Sequence, residues 1–153
     1  PVVRAKAHVL RAKCAEVAGD REVMLARTQA ALSALPNADE TRYWYARALL
    51  HSGQARAAQT VLLRPPRRED LCWQRLAAIA ALRADPRLER VETCLRVLEG
   101  EWGQPSAIEK AIAVTALEAV LGSAGTAAPE HAQVVVNFKE CLARLAGAGY
   151  ASG

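Results

Sequence analysis

The stretch "TRYWYARALLHSGQARAAQTVLL", residues 41–63, decides the fold. It holds two of the three tyrosines and one of the three tryptophans of the chain, and then breaks at Ser52-Gly53-Gln54. Apolar and small residues recur at helical spacing on both sides of this break, and a glycine between polar residues is typical of a turn. We therefore predict two helices joined by a tight turn. The aromatic cluster lies mainly at the seam where they meet.

The same pattern recurs along the chain. Gly19 and Gly53 are separated by the same interval as Ala12 and Ala46, which we call the repeat spacing. A fixed period in this range is typical of a helical solenoid, because one hairpin cannot bury its apolar face without a neighbour. Further turn and break signals predict eight helices in four antiparallel hairpins, at about 1–36, 37–66, 69–102 and 105–146, with a flexible tail or linker at 147–153.

Composition supports an all-α protein with one domain, residues 1–146. The chain has 153 residues, of which 52% are hydrophobic and only 5% aromatic, so closely packed helices with small contact residues must form the core. No apolar run approaches the roughly 18–20 residues that a membrane span needs, and no leader is visible. We expect an intracellular, cytoplasmic protein without membrane contact. A start at Pro1 suggests a fragment or a processed product.

Cysteines at 14, 72, 94 and 141 form no CxxC pair. Each falls in an apolar helical pattern, so we expect buried free thiols in a reducing compartment, with disulfides or a reactive thiol as the alternative.

Charge divides the chain into two parts. Residues 1–68 contain 12 Lys/Arg and 5 Asp/Glu, a net charge of +7, whereas residues 69–153 contain 8 and 11, a net charge of −3. The basic part favours acidic partners. Arg64, Arg67 and Arg68 surround Pro65-Pro66, where a solvated loop is favoured over a phosphate contact. No aromatic residue is interleaved with these arginines, which argues against a nucleic-acid groove.

Two helix starts carry a capping signal. Asn37 with Glu40, and Ser106 with Glu109, place a capping side chain three residues before a carboxylate.

Within the aromatic cluster, we expect Trp44 to bridge to the adjacent hairpin.

The repeat resembles the tetratricopeptide-repeat family, whose unit of about 34 residues places a large apolar residue, a leucine and a small residue in its first helix. The matching positions of the first hairpin are Ala12, Gly19, Ala31-Leu32 and Pro36; those of the second are Tyr45-Ala46, Leu49, Gly53, Ala58 and Leu62; those of the third are Trp73, Leu76 and Ala77. Met24, Thr28 and the early break at Pro65-Pro66 depart from the family pattern. The resemblance implies a right-handed α-solenoid, with irregular stacking.

In this family the first helices line a concave groove that holds extended peptides. Tyr45 and Ala46 would then pack on the partner helix. By the same resemblance, the protein-binding groove would be lined by Lys6, Val9, Lys13, Glu16, Glu40, Tyr43, Arg47, Leu50 and His51. Lys6 and Lys13 make the groove basic, which suits a carboxylate or an acidic peptide; ordinary solvation of the helix is the alternative for each lysine.

Catalytic motifs do not occur in the sequence. The three histidines, His8, His51 and His131, have no metal-binding spacing, and no phosphate loop or nucleophile turn is present. We predict a noncatalytic protein-interaction scaffold without a cofactor or metal.

Residues 43–62, followed by "CWQRLAAIAAL" at 72–82, are similar to early hairpins of tetratricopeptide subunits of the anaphase-promoting complex, a cell-cycle ubiquitin ligase. This similarity implies a subunit of a large assembly that forms a homodimer. The alternatives are a bacterial chaperone or secretion adaptor that shields an amphipathic client segment, and a structural spacer in a longer chain.

Overall fold

The structure is a computed structural model that describes residues 1–85, 96, 100, 103–123, 136, 140 and 143. All regular secondary structure among these residues is helical, which confirms the all-α class. Its helices are α1 (Val2–Ala18), α2 (Arg21–Ala34), α3 (Asp39–His51), α4 (Ala55–Leu63), α5 (Leu71–Ala84) and α6 (Ala107–Ser123). Of the second helices predicted for the third and fourth hairpins, only residues 96, 136, 140 and 143 are described, and these are helical. The predicted tail at 147–153 lies outside the described residues.

Two glycine turns connect α1 to α2 and α3 to α4, as the sequence predicts. Gly19 and Gly53 both adopt left-handed backbone, with φ of 75° and 76°. At the first turn, the amide of Gly19 donates to the carbonyl of Glu16 and the amide of Asp20 to that of Ala15. The second turn repeats both bonds at the repeat spacing, from Gly53 to Leu50 and from Gln54 to Leu49. This arrangement satisfies helix carbonyls that would otherwise lack a partner.

Prolines end the second helix of the first two hairpins. Leu35 precedes Pro36 and Arg64 precedes Pro65, and both residues leave the helical backbone conformation. A proline ring clashes with a helical residue before it, so the chain must extend there. The early end of α4, predicted from Pro65-Pro66, is confirmed.

The two predicted caps differ in outcome. Ser106 and Glu109 form a reciprocal capping box, in which the amide of Glu109 donates to Ser106 Oγ at 3.2 Å and the amide of Ser106 to Glu109 Oε1 at 3.3 Å. The cap predicted at Asn37 is wrong, because α3 begins at Asp39 and Ala38 occupies the cap position. Asn37 Oδ1 instead accepts two weak bonds of 3.4 Å from the guanidinium of Arg64.

Two further expectations need correction. Cys14 is exposed rather than buried, because it lies on the side of α1 opposite the core, and Cys72 is partly exposed. The turn expected from Gly122 onward begins later, since α6 continues through this glycine to Ser123. Cys94 and Cys141 lie outside the described residues.

Cα packing groups the chain into two compact units, Pro1–Trp73 and Gln74–Gly153. The single domain over residues 1–146 stays a prediction. In the first unit, α1 packs on α2 and α3 packs on both α2 and α4. Small residues let these helices approach closely. The buried apolar side chains are Ala5, Val9, Ala12, Ala15, Met24, Ala31, Ala46, Ala48, Leu49, Ala55, Ala58, Leu62 and Trp73.

The second unit contains most of α5 and the whole of α6. Leu76, Ile79 and Leu82 of α5 are buried, as are Ile112 and Leu117 of α6. In the described part of the chain, every helix is too short or too polar to cross a membrane.

Candidate functional site

An ion pair between α1 and α3 forms the centre of the candidate site. Arg47 Nε donates to Glu16 Oε2 at 2.6 Å, and Arg47 Nη2 donates to Glu16 Oε1 at 2.8 Å. The side chains are only 6% and 3% exposed, respectively. Two parallel charge-assisted hydrogen bonds of this kind hold the planar guanidinium in one orientation. The pair therefore fixes the position of the first helix of one hairpin relative to the first helix of the next.

Three more side chains surround this pair: Tyr43, Trp44 and His51. We call these five residues, including Glu16 and Arg47, the Arg47 cluster. The third guanidinium nitrogen, Arg47 Nη1, donates to the Tyr43 hydroxyl at 2.8 Å. His51 Nε2 lies 2.8 Å from Glu16 Oε2. The Arg47 guanidinium also lies 4.8 Å from the centroid of the Trp44 ring, which attracts cations.

Trp44 connects this cluster to the apolar core. Its ring meets the Tyr43 ring edge to face, with centroids 5.5 Å apart and planes at 82°. It also packs on a core cluster that includes Ala12, Ala15 and Met24 of the first hairpin. The predicted bridge from Trp44 to the adjacent hairpin is confirmed. The aromatic stretch is largely a structural seam, with Tyr43 and Arg47 drawn into a polar network.

Electrostatics favour the ionised pair despite its burial. Burial raises the pKa of the Glu16 carboxyl, but hydrogen bonds from His51 and Arg47 and their charges outweigh it, so that the pKa lies below its usual value. Burial likewise lowers the pKa of Arg47, yet Glu16 and Tyr43 raise it above its usual value. Each group thus keeps the other charged.

Lys13 and Glu40 lie at the rim of the Arg47 cluster. Lys13 Nζ is 3.9 Å from Glu40 Oε1, and both side chains are about half exposed, at 45% and 49%. The ammonium also lies 5.1 Å from the centroid of the Trp44 ring. A long, exposed pair of this kind contributes little to stability, so its charges stay accessible to a partner.

The structure brings six of the nine predicted groove residues together. Lys13, Glu16, Glu40, Tyr43, Arg47 and His51 all belong to the Arg47 cluster or its rim. Of the other three, Lys6 is exposed, Leu50 is partly exposed and Val9 is buried in the core. Glu16 and Arg47 are buried against each other, so the groups still offered to solvent are Lys6, Lys13 and Glu40, with parts of Tyr43, Leu50 and His51.

A second polar cluster, centred on Arg42, was missed by the sequence reasoning. Arg42 Nη1 donates to the carbonyl of Arg64 at 2.7 Å, and Nη2 donates to Asp39 Oδ1 at 3.0 Å. The guanidinium lies 4.7 Å from the centroid of the Trp73 ring. Arg42 therefore anchors the segment after α4 to the start of α3. Its only sequence signal is the spacing of three residues from Asp39, which is common on solvated helices.

The second carboxylate oxygen of Asp39 also binds the segment that follows α4. Asp39 Oδ2 accepts the amide of Arg67 at 2.8 Å. Burial raises the pKa of Asp39, but the hydrogen bonds from Arg67 and Arg42 lower it by more. The pKa therefore lies below its usual value. Arg64, Arg67 and Arg68 are exposed, in agreement with the solvated loop that the sequence favoured.

The second unit contains a comparable ion pair. Arg75 Nε of α5 donates to Glu109 Oε2 of α6 at 2.5 Å, and both side chains are buried. Burial raises the pKa of Glu109, yet Arg75 and the capping bonds with Ser106 outweigh it and lower the pKa below its usual value. Glu109 thus serves both as a helix cap and as the partner of a buried arginine.

Metal ligation has no geometric support in the described residues. No group of three or more His, Cys, Asp or Glu side chains is placed there to hold one ion. His131 lies outside the described residues.

Comparisons with models of known protein families, with curated proteins and with solved structures found no match. The structure itself defines the class: an all-α protein whose first unit contains two helical hairpins linked through a buried ion pair.

Proposed function

We propose that this chain is a noncatalytic protein-interaction scaffold, a right-handed α-solenoid of tetratricopeptide-like hairpins that holds an acidic protein or peptide. Within this class, the sequence similarity favours an intracellular subunit of a large assembly such as a cell-cycle ubiquitin ligase, with self-association into a homodimer. The proposed groove runs along the first helices of the hairpins, α1 and α3.

The observation that carries this proposal is the equivalence of the first two hairpins at the repeat spacing. Their turns share φ angles and hydrogen bonds. Burial repeats at the same spacing: both members of each pair are buried for Ala12 and Ala46, Ala15 and Leu49, Met24 and Ala58, and Thr28 and Leu62. Repeated units of this size are typical of solenoid proteins, which bind partners along their extended surfaces.

The surface of the proposed groove supports an acidic ligand. Lys6 and Lys13 are exposed on α1, seven residues apart and so on one side of the helix. Tyr43 and Leu50 add partly exposed apolar surface from α3. The buried pair of Glu16 and Arg47 provides a rigid base, because both charges are already satisfied. A partner would therefore meet two helices that are held in a fixed relative position.

Charge reversal in the groove tests the proposal. We would use the intact chain as bait in cell extract, identify captured proteins by mass spectrometry, and repeat the capture with Lys6→Glu/Lys13→Glu. We expect the specific partner to be lost from the variant, because two cations become anions opposite an acidic ligand. Arg47 is left unchanged, since its reversal would bury two carboxylates together.

Controls separate a local effect from a general effect of charge. Arg21→Glu/Arg56→Glu changes charge equally at exposed positions of α2 and α4, and should retain the partner. Circular dichroism would verify that every variant folds. Recovery of ubiquitin-ligase subunits would support the proposed assembly, whereas recovery of one secreted client would favour a chaperone. Turnover of a small metabolite without any bound protein would refute the scaffold.

A further inference from the structure

Helix α1 has two apolar faces on opposite sides. One face, with Ala5, Val9, Ala12 and Ala15, is buried in the first unit. The other face is exposed: Val3 is 82% exposed, Leu10 63% and Val17 77%. Ala7 and Cys14 are exposed between them. We call Val3, Ala7, Leu10, Cys14 and Val17 the outer seam. Its three large side chains are costly to leave in water, which points to a covering partner.

The spacing of the outer seam matches one kind of partner surface. Successive members are four, three, four and three residues apart, which is the a/d spacing of a coiled coil. The seam runs along the helix for roughly 21 Å, about two heptads of contact with a neighbouring helix. An a/d seam is narrower than the broad apolar face with which a helix lies in a lipid surface. A second helix therefore fits it better than a membrane does.

Charges beside the seam decide the chemistry of that helix. Arg4 and Arg11 lie along one edge and Lys6 and Lys13 along the other, and all four are exposed. Glu16, the only carboxylate of α1, is buried against Arg47. Among the described residues, the one ion pair recorded for these four cations is the 3.9 Å contact of Lys13 with Glu40. The edges of the seam thus have a uniform positive charge.

We propose that the outer seam docks an amphipathic helix of another protein, with apolar residues at heptad spacing and Asp or Glu along both edges. This proposal rests on the proposed function and names the class of partner and a second surface, which shares Lys6 and Lys13 with the groove but adds the apolar outer seam with Arg4 and Arg11. Pairing of α1 with a second copy is disfavoured, because arginine would face arginine or lysine in either helix direction. Acidic edges would instead pair with both basic edges.

Synthetic helices test this proposal. The probe is a fluorescein-labelled peptide of about 21 residues with Leu at positions a and d and Glu at positions e and g. Its matched controls replace Glu with Lys, or Leu with Ser. We expect the full chain to bind the acidic peptide and neither control, as measured by fluorescence anisotropy. Leu10→Ser/Val17→Ser should weaken this binding by at least about tenfold, because two exposed apolar contacts are lost.

A charge exchange provides the sharpest test. Arg4→Glu/Arg11→Glu alters no groove residue, and should weaken binding of the acidic peptide and strengthen binding of the basic one. Leu63→Ser, at an exposed leucine of α4, and Arg56→Glu are the matched variants that should bind as the original chain does.

Four results would overturn the proposal. The first is equal or absent binding of the acidic and basic peptides, or binding that the α1 variants leave unchanged. The second is cosedimentation with phosphatidylserine vesicles that Leu10→Ser abolishes, without binding of the peptide. The third is a dimer in analytical ultracentrifugation that Leu10→Ser dissociates. The fourth is a partner that is lost with Lys6→Glu/Lys13→Glu, which also alters one edge of the seam, but is kept by both Leu10→Ser/Val17→Ser and Arg4→Glu/Arg11→Glu. This last result would leave the scaffold proposal standing and refute the outer seam.

Discussion

At the scale of single residues, burial gives Glu16 and Arg47 their importance. Either charge alone would be very costly in a site from which water is largely excluded. Together they satisfy each other through two hydrogen bonds, while Tyr43 and His51 supply the remaining contacts. Such a pair contributes geometry more than net stability, since desolvation offsets much of the attraction. Removal of one partner should therefore destabilise the fold by much more than the intact pair stabilises it.

Replacement of one oxygen in the pair tests this reasoning. We expect Glu16→Gln to lower the free energy of unfolding by about 3 kcal/mol, because the buried Arg47 would lose its counter-charge. The matched variant Glu40→Gln makes the same chemical change at the exposed pair with Lys13, and should cost about 0.5 kcal/mol or less. Urea denaturation of both variants measures the difference. Equal losses would show that the pair of Glu16 and Arg47 is not isolated from water.

Acid should weaken the fold through the same carboxylate. The pKa of Glu16 is lower in the folded chain than its ordinary value of 4.5, so the unfolded chain takes up its proton first as the pH falls. The stabilisation is complete above pH 4.5 and is lost as the pH falls through the lower folded pKa. Unfolding free energy measured by urea from pH 7 to pH 3 should fall less steeply for Glu16→Gln. An unchanged slope would exclude Glu16 as a contributor.

At the scale of the element, the glycine turns specify where each described hairpin reverses. Gly19 and Gly53 have the same backbone conformation and the same hydrogen-bond pattern, although the side chains around them differ. A Cβ added to either glycine would meet no atom within 4 Å. Any cost of an alanine at these positions must therefore come from the left-handed backbone rather than from a clash.

Replacement of the glycine by alanine should therefore cost about the same stability at both turns. We expect Gly19→Ala and Gly53→Ala each to destabilise the chain by about 1–2 kcal/mol, the cost of left-handed backbone for a residue with a Cβ. Asparagine tolerates this conformation better, so Gly19→Asn and Gly53→Asn should cost less. Thermal or urea unfolding would compare the four variants. A turn that accepts alanine without loss would not be equivalent to the other.

At the scale of the whole molecule, the repeat spacing organises the first unit. The order of the first helices, their connecting turns and the breaks at Pro36 and Pro65 were predictable, because each depends on a residue type with a local backbone preference. The buried positions of Ala12 and Ala46 followed from their register with the glycines. The division into units at Trp73 and Gln74 falls within α5, a few residues after the Pro65-Pro66 break and the change of net charge at residue 68. Neither signal places a boundary inside a helix.

The candidate site was predicted only in part. Resemblance to a repeat family indicated most of the residues that the structure brings together around Arg47, but assigned them to a binding surface. Their pairing across 31 residues of sequence, from Glu16 to Arg47, has no local signal. The same holds for Arg42, whose carbonyl partners at Arg64 and Pro65 are set by the path of the chain rather than by side-chain type.

Local preferences in the sequence were sufficient for the helical class and the turns, because a glycine, a proline or an apolar period acts within a few residues. Tertiary packing decided which charges are buried, which are exposed and which face of α1 lies outside. Long side chains such as those of Arg42, Arg47 and Lys13 reach several possible neighbours, and only the relative position of the packed helices selects among them.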